Sequence, residues 1–279
     1  MRMIEKVQAH DVTSMHCGGT IERIYEPENT QELAELVKGV KDFHILGGGT
    51  NTIFEDMRIV KPVIRLGREF AGIALTPGGL AAGAAVPMKR LVSYCVRNSL
   101  SGIEFMAGIP GMLGGALFMN AGTPEHGILD AAFEVEVVNS SGVHTLKRKD
   151  LDYGYRRSGI PANTVITSAK LVLSRSTKEK VRKTILPFII KKRTQPRGFS
   201  CGSIFRNPKE MPAGMLIEKA GFKGHKVGGA RVSEIHDNFI INDGTATSRD
   251  IQELIRLIKE RIMGQFGIAL TEEVKIIGQ

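Results

Sequence analysis

Two stretches of the 279-residue sequence could hold a large ligand by their backbone alone. Gly47-Gly48-Gly49-Thr50-Asn51 follows Phe43 to Leu46, which reads as a strand, so the glycines form a loop whose free amides could ring a phosphate. The loop is neither G-x-G-x-x-G nor G-x-x-x-x-G-K-[ST], and taken alone a tight turn without a ligand explains it equally well. The second stretch, Gly102 to Gly122, reads G-I-E-F-M-A-G-I-P-G-M-L-G-G-A-L-F-M-N-A-G. Interior glycine costs a helix roughly 1 kcal/mol relative to alanine, and Pro110 removes a backbone donor, so something other than regular structure favours this composition. It suits a glycine-lined wall that a large flat ligand approaches closely. Two such walls imply one extended cofactor, with a diphosphate at one loop and the rest of a dinucleotide along the other. The charge-free run from Phe105 to Pro124 is long enough to suggest a membrane span, but its prolines, glycines and asparagine argue against one.

Charge and composition bound the ligand class. The formal charge of +9 suits nucleic acid, an anionic membrane surface or a phosphorylated small ligand. Aromatic residues make up only 6% and are scattered without an RNP pattern, which disfavours an RNA platform. At 42% hydrophobic and 24% charged, the chain reads as a globular protein long enough for two cores. Its beginning lacks the apolar core of a secretory signal, so a cytoplasmic location is expected. Cys17, Cys95 and Cys201 are widely spaced and lack C-x-x-C pairing, which fits reduced thiols; the seven histidines form no close ligand pair, and no metal is expected. Lys191-Lys192-Arg193 ends a helical segment, where cations complement the dipole on a solvated face or contact an anion.

The elements that must position these groups follow from periodicity. Thr30 reads as the cap of a short helix that turns Leu33, Leu36 and Val37 inward. Pro87 opens a second helix with Leu91, Val92, Cys95 and Val96 on its apolar face, which makes Cys95 a core residue. Strands are expected at Phe133 to Asn139 and Val165 to Leu173, so Tyr155 and Arg156 fall on a connection between strands. A basic helix from Thr177 to Arg193, broken or kinked at Pro187, leads to the boundary Gln195-Pro196-Arg197-Gly198. A final helix from Thr247 to Phe266 has a clear stripe of isoleucine and leucine. Domains are accordingly expected at 1–195 and 196–279.

Five motifs in order resemble the UDP-N-acetylenolpyruvoylglucosamine reductase family: L-G-G-G-T-N at Leu46 to Asn51, the long glycine stretch with M-N-A-G at Met119 to Gly122, Tyr155-Arg156-Arg157-Ser158, Gly202-Ser203-Ile204-Phe205-Arg206-Asn207-Pro208, and L-T-E-E-V-K-I-I-G at the end. The resemblance runs from about Thr13 to Gly278. It implies an α+β two-domain flavoprotein, with a p-cresol methylhydroxylase-like FAD-binding domain and a smaller α+β substrate-binding domain. It also implies reduction of an enolpyruvyl ether on a UDP-sugar by hydride from FAD that NADPH has reduced, in a monomer. Two departures stand out. Where the family commonly has A-G-A-Y-G, this chain has Ala121-Gly122-Thr123-Pro124-Glu125-His126-Gly127, so no role attached to that tyrosine carries over. The interval between Arg156 and Ser203 is short, as in the compact subtype without an inserted tyrosine-bearing loop.

Residue by residue, the resemblance implies cofactor contacts at Gly47, Gly48, Gly49, Thr50, Asn51, Gly108, Ile109, Pro110, Gly111, Gly114, Gly115 and Asn120. It gives Arg156 the developing negative charge, Ser203 the role of general acid and Glu273 the management of charge or protons at the intermediate. Tyr155, Asn207 and His236 are its candidates for substrate contact. Without the pattern, Arg156 reads as a surface ion pair, Ser203 as a turn hydroxyl capping the backbone, and His236 as a locally satisfied ring. Strand alternation lets only one of Glu272 and Glu273 face a site, and Glu272 is expected in solvent. Another FAD-linked sugar oxidoreductase and a basic RNA-binding protein are the alternatives.

Overall fold

The computed structural model describes Met1 to Gly278. The chain divides into two compact units, and neither is one continuous stretch. The first comprises Met1–Ile4, Ile24–Gly48 and Pro62–Arg193; the second takes Glu5–Arg23, Gly49–Lys61 and the chain from Thr194 onward. A single cut at 195/196 therefore matches only the last of these joins. The reason is backbone pairing at long range: Thr52–Phe54 runs parallel to Lys275–Ile277 and so draws the segment after the first glycine loop into the second unit.

The first unit is organised on a five-stranded antiparallel sheet, in the order Gly142–Lys147, Ala132–Asn139, Val165–Val172, Gly79–Gly83, Ile73–Thr76. Val135, Val137, Ile166 and Leu171 are buried on it and share one core with Met88, Leu91 and Cys95 of the helix Met88–Arg97. Ile24 and Tyr25 and, on the other side, His44 and Ile45 pair parallel with Val63–Ile64, and Leu46 N–H continues the ladder to the Ile64 carbonyl at 2.9 Å. The chain leaves that small parallel sheet at Gly47. The helix Thr30–Gly39 buries Leu33, Leu36 and Val37 as expected, but its cap is Asn29, whose side chain accepts Glu32 N–H; Thr30 is the first helical residue. The basic helix runs as one element, Lys178–Arg193, with Pro187 inside it.

In the second unit, the helix Ser248–Phe266 buries Ile251, Leu254, Ile255, Ile258 and Ile262, each contributing about 1.5–3 kcal/mol. It starts at a Thr247–Asp250 capping box, and Asp56 adds a second cap by accepting the N–H groups of Ser248 and Arg249 at 2.8 and 2.9 Å. Gly267, at φ 66°, ends it in the left-handed conformation. The helix packs with the helix Ala213–Lys219 over a three-stranded antiparallel sheet of Lys226–Val227, Ala230–Val232 and Ile240–Asn242. Each unit combines helices with a main sheet that is antiparallel, which makes the chain α+β.

Candidate active site

In the first unit the two glycine stretches meet through bare backbone. A Cβ on Gly48 would lie 3.0 Å from Gly111 Cα, and one on Gly47 would lie 4.0 Å from Gly115. Gly47 and Gly115 are both exposed, and a side chain on Gly115 would meet nothing within 4 Å. This is a surface that a flat group can approach to van der Waals distance, which fits FAD. Gly114 is different, because its missing Cβ would lie 2.9 Å from Ala84 Cβ and its N–H donates to the Ala84 carbonyl at 2.8 Å. Packing explains that glycine. Gly49 is likewise required by the fold of the second unit: its φ is +63° and a Cβ would overlap the Val12 carbonyl. Gly108 and Pro110 are exposed, and Ile109 and Thr50 are half-buried.

The glycine stretch and the tyrosine-arginine motif are fastened together. Gly154 and Arg157 exchange backbone hydrogen bonds of 2.8 and 3.0 Å, which places Tyr155 and Arg156 at the tip of a tight turn. Arg156 has φ 54°, costly for a residue with a side chain. Two residues of M-N-A-G hold it there: Asn120 Nδ2 donates to the Gly154 carbonyl at 2.8 Å, and Arg156 Nη2 donates to the Gly122 carbonyl at 3.0 Å. The Arg156 cation also lies 4.9 Å from the centre of the Tyr155 ring. Asn120, itself at φ 43°, is buried and accepts Leu129 N–H through Oδ1 at 3.1 Å, so its side chain serves the turn. The fastening gives a physical role to the residue that resemblance placed against the cofactor.

In the second unit, Ser203 and Glu273 lie on neighbouring segments joined by isolated bridges and backbone hydrogen bonds. Ser203 bridges Phe239, Phe205 bridges Glu272, and Glu273 N–H donates to the Ile204 carbonyl at 2.7 Å. Asn51 Nδ2 donates to the Glu273 carbonyl at 3.0 Å, so Asn51 positions the closing carboxylate's backbone. Glu272 is not simply solvated: Lys259 binds it at 2.7 Å. The Ser203 hydroxyl has no hydrogen-bond partner among the described residues, whereas Ser158 and Ser233 accept local N–H groups as turn serines do. Asn207 Oδ1 accepts Ala213 N–H at 3.0 Å, and the exposed His236 ring lies 3.4 Å from where a Gly214 side chain would begin. These two candidates thus meet at the start of the helix Ala213–Lys219. His236 Nδ1 accepts Asn238 N–H at 3.3 Å.

Two contributors are not among the site residues expected from the sequence. Asn238, buried, grips Phe205 at both its N–H and its carbonyl, at 2.9 and 2.8 Å, and so fixes the segment that carries Ser203. Lys192 lays its stem against Gly108, and burial pushes its ammonium below the usual lysine range. The H-D-N-F pattern offered a signal for the first, and the basic run Lys191-Lys192-Arg193, open to a solvated face or an anion contact, for the second. Burial pushes the Cys17 and Cys95 thiols up to about 12 and Cys201 to about 11. Among the described residues no cluster of His, Cys, Asp and Glu could hold a metal, and no helix is long and apolar enough to cross a membrane.

A glycine surface shaped for a flat cofactor, within an α+β chain of two units, defines a flavoprotein: residues 21–147 match the FAD binding domain family. Residues 195–277 match the C-terminal domain of UDP-N-acetylenolpyruvoylglucosamine reductase. The chain is 38% identical over 278 residues to the UDP-N-acetylenolpyruvoylglucosamine reductase of Syntrophobacter fumaroxidans, covering 95% of this chain and 81% of the relative. It is 34% identical to that of Anaplasma marginale, over 98% and 92%. The crystal structure of the reductase from Thermus caldophilus superposes with a TM-score of 0.87 at 33% identity, over 99% of each chain. The chain belongs to the UDP-N-acetylenolpyruvoylglucosamine reductase family.

Proposed function

We propose that the chain reduces the enolpyruvyl ether of UDP-N-acetylglucosamine enolpyruvate to the lactyl ether of UDP-N-acetylmuramate, an NADPH-dependent step of peptidoglycan precursor synthesis, as a cytoplasmic monomer. The observation that carries this reading is Arg156, a cation locked in a positive-φ turn by Asn120 and Gly122. Such a group is preorganised to meet charge that develops during reaction. The first unit makes the FAD-binding part, with Gly47, Gly48, Gly111 and Gly115 presenting the backbone that would hold the cofactor. The second unit makes the part that takes the sugar nucleotide, in the compact form without an inserted tyrosine loop. When bound, FAD supplies hydride chemistry, with NADPH as the electron source.

The chain's own groups manage charge and protons. As the terminal methylene gains a hydride, negative charge spreads onto the carboxylate-conjugated fragment, and Arg156 stabilises it; one such donor is worth about 3 to 4 kcal/mol. Ser203 protonates the adjacent carbon. A serine hydroxyl is a weak acid, so it works only against a strongly basic enolate-like carbon, and its freedom from a competing turn bond leaves the proton available. Glu273 acts as a protonated or cation-paired carboxyl, because a bare carboxylate beside a developing anion is unfavourable. Tyr155, Asn207 and His236 contact the sugar nucleotide.

Stopped-flow flavin absorbance separates the two halves of the reaction. Arg156→Ala, Glu273→Gln and Ser203→Ala are expected to bleach normally with NADPH and to reoxidise slowly with the enolpyruvyl sugar nucleotide, Ser203→Ala by roughly 10² to 10⁴. Ser203→Cys, more acidic and of similar shape, is expected to recover part of that rate. A normal oxidative half-reaction in all three alanine and glutamine variants would overturn the assignment of these residues.

A further inference from the structure

Arg206 lies in sequence between Ser203 and Asn207, and its backbone is fixed. Its N–H donates to the Thr271 carbonyl at 2.9 Å, beside the pairing of Phe205 with Glu272. The residue before it is gripped at both backbone groups by Asn238. Its side chain is treated differently. Arg206 Nε is shut off from solvent and has no hydrogen-bond partner, and among the described residues the guanidinium forms no ion pair. The carboxylate of the paired segment, Glu272, is already engaged by Lys259.

A cation taken partly out of water without an acceptor is destabilising, since desolvation is uncompensated. Asp237 Oδ1 is the other buried side-chain atom of this unit without a hydrogen bond among the described residues, but its second oxygen lies 3.9 Å from Lys223. The Asn242 side chain, by contrast, makes four hydrogen bonds, to the Met15 and His16 carbonyls and from the Gly244 and Ala246 N–H groups. With Nε closed off, the two terminal guanidinium nitrogens are left to meet a ligand, and their planar, paired N–H groups fit the oxygens of a phosphate.

We propose that Arg206 is an anchor for a phosphate oxyanion of the sugar nucleotide, holding its diphosphate while Ser203 faces the reacting carbon. The identity of the nucleotide rests on the function proposed above; the anion requirement rests on Arg206 itself. A pyridine nucleotide also carries phosphate, so the test has an arm for each source.

The experiment uses the full-length, flavin-loaded protein with Arg206→Met and Arg206→Lys. Calorimetric titration with UDP and with uridine measures the phosphate contribution, thermal midpoints are taken with and without UDP, and flavin bleaching measures the NADPH concentration dependence. Arg206→Met is expected to lose about 10- to 100-fold in UDP affinity while uridine binding is retained, with Arg206→Lys between the two. Its ligand-free midpoint should be no lower than that of the wild type, because an unpaired charge is removed, while the rise on adding UDP should shrink. Unchanged UDP affinity, an equal loss for uridine, or a loss confined to NADPH would overturn the proposal. So would a lowered ligand-free midpoint with the preference for UDP intact, which is the signature of a purely structural arginine. Wild-type protein that is reoxidised by the enolpyruvyl sugar nucleotide alongside such a result would leave the proposed function standing; wild type that neither binds UDP nor is reoxidised would overturn both.

Discussion

What a glycine contributes depends on where its missing side chain would point, and Gly114 and Gly115 point differently. Gly115→Val projects into open space on an exposed surface. It is expected to fold with a near wild-type thermal midpoint and to lack flavin, read from the absorbance of purified protein; full flavin occupancy would remove Gly115 from the cofactor surface. Gly114→Val instead collides with Ala84 and should lose roughly 1–3 kcal/mol of stability by overpacking, whatever happens to the flavin. Two adjacent glycines in one motif look alike in sequence because only packing separates them. The thiols are a second case. With Cys17 and Cys95 pushed up to about 12 and Cys201 to about 11, the reactive thiolate is scarce at pH 8. Native protein should therefore resist a thiol-alkylating reagent at that pH, and all three cysteines should label in guanidinium; rapid native labelling of one would show a thiol more open than its burial indicates.

At the scale of elements, the tight turn that carries Arg156 depends on a side chain from another motif. Asn120→Ala removes both the bond to the Gly154 carbonyl and the one from Leu129 N–H. It is expected to cost about 1–3 kcal/mol in chemical denaturation and to slow flavin reoxidation by substrate more than bleaching by NADPH. Equal effects on both half-reactions would mean that the turn serves the cofactor rather than substrate. The sequence made some of this legible. The helix ending at Phe266 could be read from its cap and stripe, and the placement of Arg156 on a connection from the strands on either side of it, since both signals are local, whereas its role came only from the family pattern. The fastening could not be read, because Asn120 and Gly154 are brought together only by the fold. For the same reason the second unit's membership was hidden: the pairing of Thr52–Phe54 with Lys275–Ile277 joins segments from opposite ends of the chain. Motifs located Ser203 and Glu273, but the grips of Asn238 on Phe205 and Asn51 on Glu273 required coordinates.

Over the whole molecule, the excess of cations is not spread evenly. Many surface charges are neutralised in pairs, such as Arg256 with Glu253 and Glu260, Lys223 with Glu218 and Arg157 with Asp152. Individually these contribute little to stability. The helix Lys178–Arg193, by contrast, carries seven cations and one carboxylate, and its Lys192 reaches Gly108 at the edge of the glycine surface. A net charge of +9 with such a concentration in the cofactor-binding unit attracts phosphorylated ligands at a distance, an effect that salt screens over about 8–10 Å. Under the proposed activity, kcat/KM for NADPH should fall roughly tenfold as ionic strength rises from about 20 to about 200 mM, with kcat nearly constant, because screening slows encounter and leaves bound chemistry alone. Reversing the exposed Lys180 and Lys183 to glutamate should flatten that dependence without loss of flavin, since neither side chain enters the core. A salt dependence as steep in the double variant as in the wild type would show that this helix does not steer the ligand, and that the solvated-surface reading of its basic run is the better one.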